Sequence, residues 1–195
     1  MTHRLLSRAA WVSASLAPVA MIGGWTLAAT RQPAAYDATR DTISALAAHD
    51  ATDRWIMTAG IATLGVCHVV TALGLEEAAP AGRALLGLGG VTAVGVAVFA
   101  QPSSLHFPVA TASFVALAAW PAFSRTPSRR TAVVASVGLA ALLVWFGAGL
   151  DVEGNGLRER VVAGAESLWP LAALVLVRRP SAGSPSPSNL IRRSR

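Results

Sequence analysis

RERVVAGAESLWPLAALVLVRR, residues 158–179, decides the fold. Between Val161 and Val177 its only charged residue is Glu166, and arginines stand at both ends. As a helix at about 1.5 Å per residue, 158–177 spans about 30 Å, the thickness of a hydrocarbon core. Glu166 then lies about 12 Å below the entry at Arg158. A charge near the bilayer centre costs at least about 2.5–3.5 kcal/mol, so such a carboxyl faces the bundle interior, is paired, or is protonated. Glu159 stands seven residues earlier, on nearly the same face as Val162, Ala163, Glu166 and Pro170. That stripe is expected to point inward. Pro170 also frees the Glu166 carbonyl from its helical bond.

Working outward, five more apolar runs of similar length appear. The spans read as 9–29, 55–75, 83–100, 106–123, 131–150 and 158–177. The 195 residues are 53% hydrophobic and only 13% charged, with mean hydropathy +0.52. A soluble domain is closer to about 25% charged. The predicted fold is an all-α polytopic membrane protein: a six-helix bundle with a short amphipathic helix in the first outer loop. Residues 1–8 form the cytoplasmic N-terminus, 9–178 the membrane domain and 179–195 a Pro/Ser-rich basic tail expected to be disordered. The first run is too long for a signal-peptide core of about 7–15 residues.

Every one of the 16 basic residues is Arg, and they gather at span ends. With the N-terminus inside, the cytoplasmic segments hold Arg4, Arg8, Arg83, Arg125, Arg129, Arg130, Arg178, Arg179, Arg192, Arg193 and Arg195. The outer segments hold only Arg31, Arg40, Arg54, Arg158 and Arg160. This bias follows the positive-inside rule and puts both termini in the cytoplasm. The net charge of +6 therefore reports topology and lipid contact, not nucleic-acid binding, which would cluster charge on a soluble face. Ala-rich, all-Arg usage points to a GC-rich bacterial genome and thus to a bacterial plasma membrane. Cys67, the one cysteine, excludes an intrachain disulfide and reads as a packing residue.

The polar groups divide by place. In the first outer loop, 30–54, Asp37 is positioned to cap a short helix carrying Ile43, Leu46 and Ala47 on one side and Arg40, Asp41 and Ser44 on the other. Asp50 and Asp53 offer helix-starting chemistry to the second span. His106 opens the fourth span, where it can hydrogen-bond, meet a head group or ligate a metal. His49 could approach it, a weak metal signal. His68 lies about 20 Å down the second span, too deep to share an ion with His106, and reads as a buried polar contact. Small residues at four-residue spacing, Gly89, Ala93, Ala97 and Ala132, Ser136, Ala140, allow close helix packing. No nucleophile elbow, HExxH, phosphate loop or dinucleotide fingerprint occurs.

Four segments together carry a resemblance: YDATRDTISALAA (36–48), DRWIMTAG (53–60), FAQPSSLHFPVA (99–110) and GLRERVVAGAESLWPL (156–171). In this order they are similar to a bacterial and archaeal integral membrane family, domain of unknown function 998, in its actinobacterial branch. The resemblance covers the chain from the first span to Arg179. It implies a six-helix membrane protein and brings no activity. Asp41, Ser44, His106, Arg160 and Trp169 match the family's recurrent polar and aromatic positions.

These readings predict an outward-facing pocket with Glu166 and Trp169 as its floor and Arg160, Asp151, His106, Arg40, Asp41 and Ser44 at its rim. The first expectation is binding of a lipid or small amphiphile without chemistry or cofactor. The alternatives are a membrane-embedded hydrolase using Asp41, Ser44 and His106, and a small transporter using Glu166. The chain leaves the oligomeric state open.

Overall fold

The computed structural model describes residues 2–150 and 154–178. Asp151 and the tail 179–195 lie outside them. The described residues are helical without strands: α1 (Thr2–Ala29), α2 (Ile43–Leu46), α3 (Trp55–Gly74), α4 (Pro80–Val98), α5 (His106–Ser124), α6 (Arg129–Gly147) and α7 (Asn155–Arg178). All but α2 are long and apolar enough to cross a membrane. The chain is thus a multi-pass membrane protein built as a six-helix bundle.

Local chemistry sets the helix ends. Pro80 starts α4, where its missing N–H costs nothing, so α4 begins three residues before the expected 83. Ser128 accepts the Thr131 amide and opens α6. Arg125 closes α5 in the left-handed conformation. The α3 start differs from expectation: Arg54 is its N-cap, and no side chain from Asp50 or Asp53 caps it.

Consecutive spans pack as neighbours, and α7 packs back against α1 to close the ring. Lipid tails are as apolar as leucine, so close contact and hydrogen bonds must hold such helices together. One close crossing is at Gly65 of α3 and Gly90 of α4, where each glycine faces the other's backbone. A Cβ on either would sit 2.5–2.6 Å from the other's carbonyl oxygen. Ser13 and Thr71 join α1 to α3 through hydroxyls 2.8 Å apart, and Ser113 of α5 donates to the Gly89 carbonyl of α4 at 3.0 Å. Cys67 is buried in this packing.

The peripheral helix is α6, whose only buried side chains are Ala132 and Leu139. Ser136 holds it to α5, accepting from the Ala122 amide at 2.9 Å and donating to the Ala119 carbonyl at 3.2 Å. Ser136→Ala is expected to destabilise the bundle by about 1 kcal/mol, the scale of interhelical hydrogen bonds in membranes. Unfolding of the detergent-solubilised protein by a denaturing surfactant measures this.

Two apolar clusters fill the interior. One, at the α2 end, joins Ile43, Leu46, Met57, Ile61, Leu64 and Ala163. The other, toward the opposite end, joins Leu75, Leu86, Leu117, Trp120 and Leu174. Trp169 packs on this second cluster.

Candidate functional site

At the α2 end, residues 36–47 are docked onto the first turns of α7. The sequence makes the first part of this segment a turn rather than a helix. The Asp37 carboxylate accepts from the Thr39 amide at 2.8 Å and from the Thr39 hydroxyl at 2.6 Å, and those bonds hold it below the usual carboxylate range. Asp37 therefore caps a turn, and the cap of α2 is Thr42, whose hydroxyl accepts from Ala45 N at 3.1 Å. The four residues of α2 place Ile43, Leu46 and the adjoining Ala47 against the core.

Backbone and side chains together fasten the segment. The Gly156 and Leu157 amides, at the start of α7, donate to the Arg40 and Thr39 carbonyls at 3.1 and 2.9 Å. Gly156 is required at this contact, since a Cβ there would lie 2.3 Å from the Asp41 carbonyl oxygen. Arg160 donates to the Asp41 carbonyl at 2.8 Å, to the Gly156 carbonyl at 2.9 Å, and to the Tyr36 hydroxyl. Partial burial raises the Tyr36 hydroxyl above the usual tyrosine range, and the Arg160 charge and bond oppose that rise. Glu159 accepts from the Ile43 amide and from the Ser44 hydroxyl, the latter at 3.0 Å.

Beneath this cap lies a groove of about 360 Å³ between α5, α6 and α7. Phe107, Ala110, Phe114, Leu143, Val144 and Phe146 give it apolar walls, while Thr42, Ser44, Gln101, His106, Asn155 and Glu159 supply polar groups at the α2 end. A smaller cavity of about 50 Å³ adjoins it on the inner side, among α1, α3, α4, α5 and α7, and reaches Glu166. The groove and the cavity share Ser44, Ala110, Phe114 and Glu159 as a common wall. Across the top, the Arg158 guanidinium lies 5.2 Å from the Trp145 ring centroid and donates to the Trp145 carbonyl, tying α7 to α6.

The expected site residues fall into three groups. Ser44 and His106 line the groove, and Glu166 lines the inner cavity. Arg160 and Asp41 lie just outside as parts of the fastening, with Asp41 Oδ2 accepting the Asp37 amide at 2.7 Å. Arg40 is exposed, its Nε 3.4 Å from Asp37. Trp169 does not join Glu166 at the floor. It lies about one turn further along α7, where its ring packs into the second cluster instead.

Asp41, Ser44 and His106 do not bond one another. Ser44 is committed to Glu159, Asp41 to Asp37, and His106 Nδ1 to the Phe99 carbonyl at 3.0 Å. Since a carbonyl only accepts, Nδ1 carries the proton and Nε2 is the acceptor when the ring is neutral. His49 is exposed while His106 is buried. Among the described residues no group of three or more His, Cys, Asp or Glu is placed to hold a metal ion.

The sequence places Glu159 on the inward stripe of α7 and Ser44 on the polar face of the loop helix. Glu159 is buried as expected, whereas Ser44 turns inward to meet it. The signal for Glu159 is its seven-residue spacing from Glu166, which places both on the buried stripe of α7.

No curated protein and no solved structure matches this chain. One family model does, over residues 15–176, from α1 to near the end of α7 and so including every residue of the groove and inner cavity. It is that of the family described as Protein of unknown function (DUF998), and the chain belongs to that family.

Proposed function

We propose that this protein binds a lipid or small amphiphile in the groove between α5, α6 and α7, with the α2 end facing out of a bacterial plasma membrane and both termini in the cytoplasm. One observation carries the reading: a largely apolar groove of about 360 Å³ with all its polar lining residues but Thr111 gathered at one end. That volume and lining suit a small ligand with an apolar body and a few polar anchors. The open flank at the loosely held α6 offers entry from the lipid. Orientation rests on the arginine bias, which leaves few arginines at the α2 end. Hydrolysis draws less support, because Asp41, Ser44 and His106 are each committed elsewhere.

Native mass spectrometry of the gently extracted protein tests this reading. The native chain is expected to carry a co-purified amphiphile. Ala110→Trp, which fills the wall shared by groove and cavity, is expected to reduce that occupancy about tenfold, a loss of about 1.4 kcal/mol of binding. A native chain without amphiphile, or an Ala110→Trp protein that keeps it, would overturn the proposal.

A further inference from the structure

Glu166 is 1% exposed, and neither carboxyl oxygen has a hydrogen-bond partner among the described residues. Its surroundings explain why. α1, α3 and α4 offer the inner cavity only apolar side chains. Two nearby hydroxyls are already used: Ser113 donates to the Gly89 carbonyl at 3.0 Å and Ser167 to the Gly164 carbonyl at 2.8 Å. Among the described residues, the only other titratable group lining the cavity is Glu159. Arg160 turns away toward Tyr36 and the Asp41 carbonyl. His68, one turn beyond Leu64 on α3, is buried but does not line the cavity.

The cavity thus presents two carboxyl groups and no resident cation. An ionised carboxylate left alone in such a place is prohibitively costly, so a proton or another cation must accompany it. The whole inner cavity, about 50 Å³, accommodates a water or two, or an ammonium group, since a water occupies about 30 Å³. It has no room for an alkyl chain. The adjoining groove does.

We propose that the ligand is a lipophilic primary amine, its alkyl chain in the groove and its ammonium group exchanged for the proton of Glu166. This rests on the groove reading above and names its ligand class. The exchange balances. The Glu166 O–H bond breaks, the proton leaves through the groove to water, and an ammonium–carboxylate pair remains, so the charge of the site is unchanged.

The test uses the full chain in lipid nanodiscs with octylamine, octan-1-ol and octyl phosphate as probes. Calorimetry in two buffers of different ionisation enthalpy reads proton release. Octylamine is expected to bind at least about tenfold more tightly than octan-1-ol, releasing about one proton. Its affinity is expected to rise up to about tenfold per pH unit across about pH 6–8. Glu166→Gln should remove the amine preference and the proton release while keeping octan-1-ol binding. Amine binding without proton release, or a Glu166→Gln protein that still prefers the amine, would overturn the exchange. Binding of octan-1-ol or octyl phosphate with no preference for the amine sinks the exchange but leaves the groove reading intact; binding of none of the three sinks both. Should Glu166→Gln fail to fold, proton release and the pH slope of the native chain decide the matter.

Discussion

Gly65→Ala and Gly90→Ala are each expected to destabilise the bundle by about 2 kcal/mol or more, although alanine is the better helix former. The intrinsic preference favours the substitution by about 1 kcal/mol. The crossing opposes it. A Cβ at Gly90 would meet the Gly65 carbonyl oxygen at 2.6 Å and the Val69 amide nitrogen at 2.9 Å. A Cβ at Gly65 would meet the Gly90 carbonyl oxygen at 2.5 Å and the Val94 amide nitrogen at 2.8 Å. These obstacles are backbone atoms, which cannot rotate aside, so α3 and α4 must separate. Overpacking of this kind costs about 1–3 kcal/mol and occasionally more. One separation relieves both clashes, so the double substitution should cost clearly less than the sum of the singles. Gly138 supplies the opposite sign: a Cβ there has nothing within 4 Å, and Gly138→Ala should be neutral or stabilising by up to about 1 kcal/mol. Surfactant-induced unfolding of all four variants reads the pattern, and equal effects at Gly65 and Gly138 would show that the crossing does not hold the helices together.

The spans were legible because each obeys one rule, about 20 apolar residues bounded by charge or Pro and Gly. Their pairing was less so. The expected packing stripe on α4 began at Gly89, which indeed lies against Leu117 of α5, yet its neighbour Gly90 makes a separate close crossing against Gly65 of α3. Small residues mark a helix as able to pack closely without saying with which partner. The site divides in the same way. Glu166 announced itself because a lone carboxyl in a span is costly. Ser44 and His106 were readable as polar groups near a span end, and the seven-residue spacing put Glu159 on the inward stripe with Glu166, but the partners of Glu159 were not readable. They come from the docking of residues 36–47 onto α7, a contact across more than a hundred residues of sequence. The same long-range contact turned Ser44 from the outer side of a supposed amphipathic helix toward the core.

Glu159→Ala is therefore expected to release this segment from α7, at a cost of about 3 kcal/mol. The carboxylate accepts both the Ile43 amide and the Ser44 hydroxyl in a place that is 4% exposed. Its loss leaves two sheltered donors without an acceptor, each worth about 1–3 kcal/mol when buried unpaired. Partial relaxation toward water keeps the total below the upper sum. Glu159→Gln retains one acceptor oxygen and should lose only about 1 kcal/mol. The fault should also be local. Arg160 and the Gly156 and Leu157 amides still hold residues 36–41, whereas Ile43 and Leu46 depend on the Glu159 contact to stay seated in the core. Limited proteolysis should accordingly cut the Glu159→Ala protein between about residues 42 and 48 under conditions that leave the native chain whole, with the spans themselves protected. Leu157→Ala, an exposed neighbour that keeps its backbone bond to Thr39, should stay resistant. Cleavage of Leu157→Ala to the same extent would assign the effect to a general loosening of the α7 start. Because Glu159 also walls the groove and the inner cavity, a released cap should open both, and amphiphile retention should fall together with protease resistance rather than independently of it.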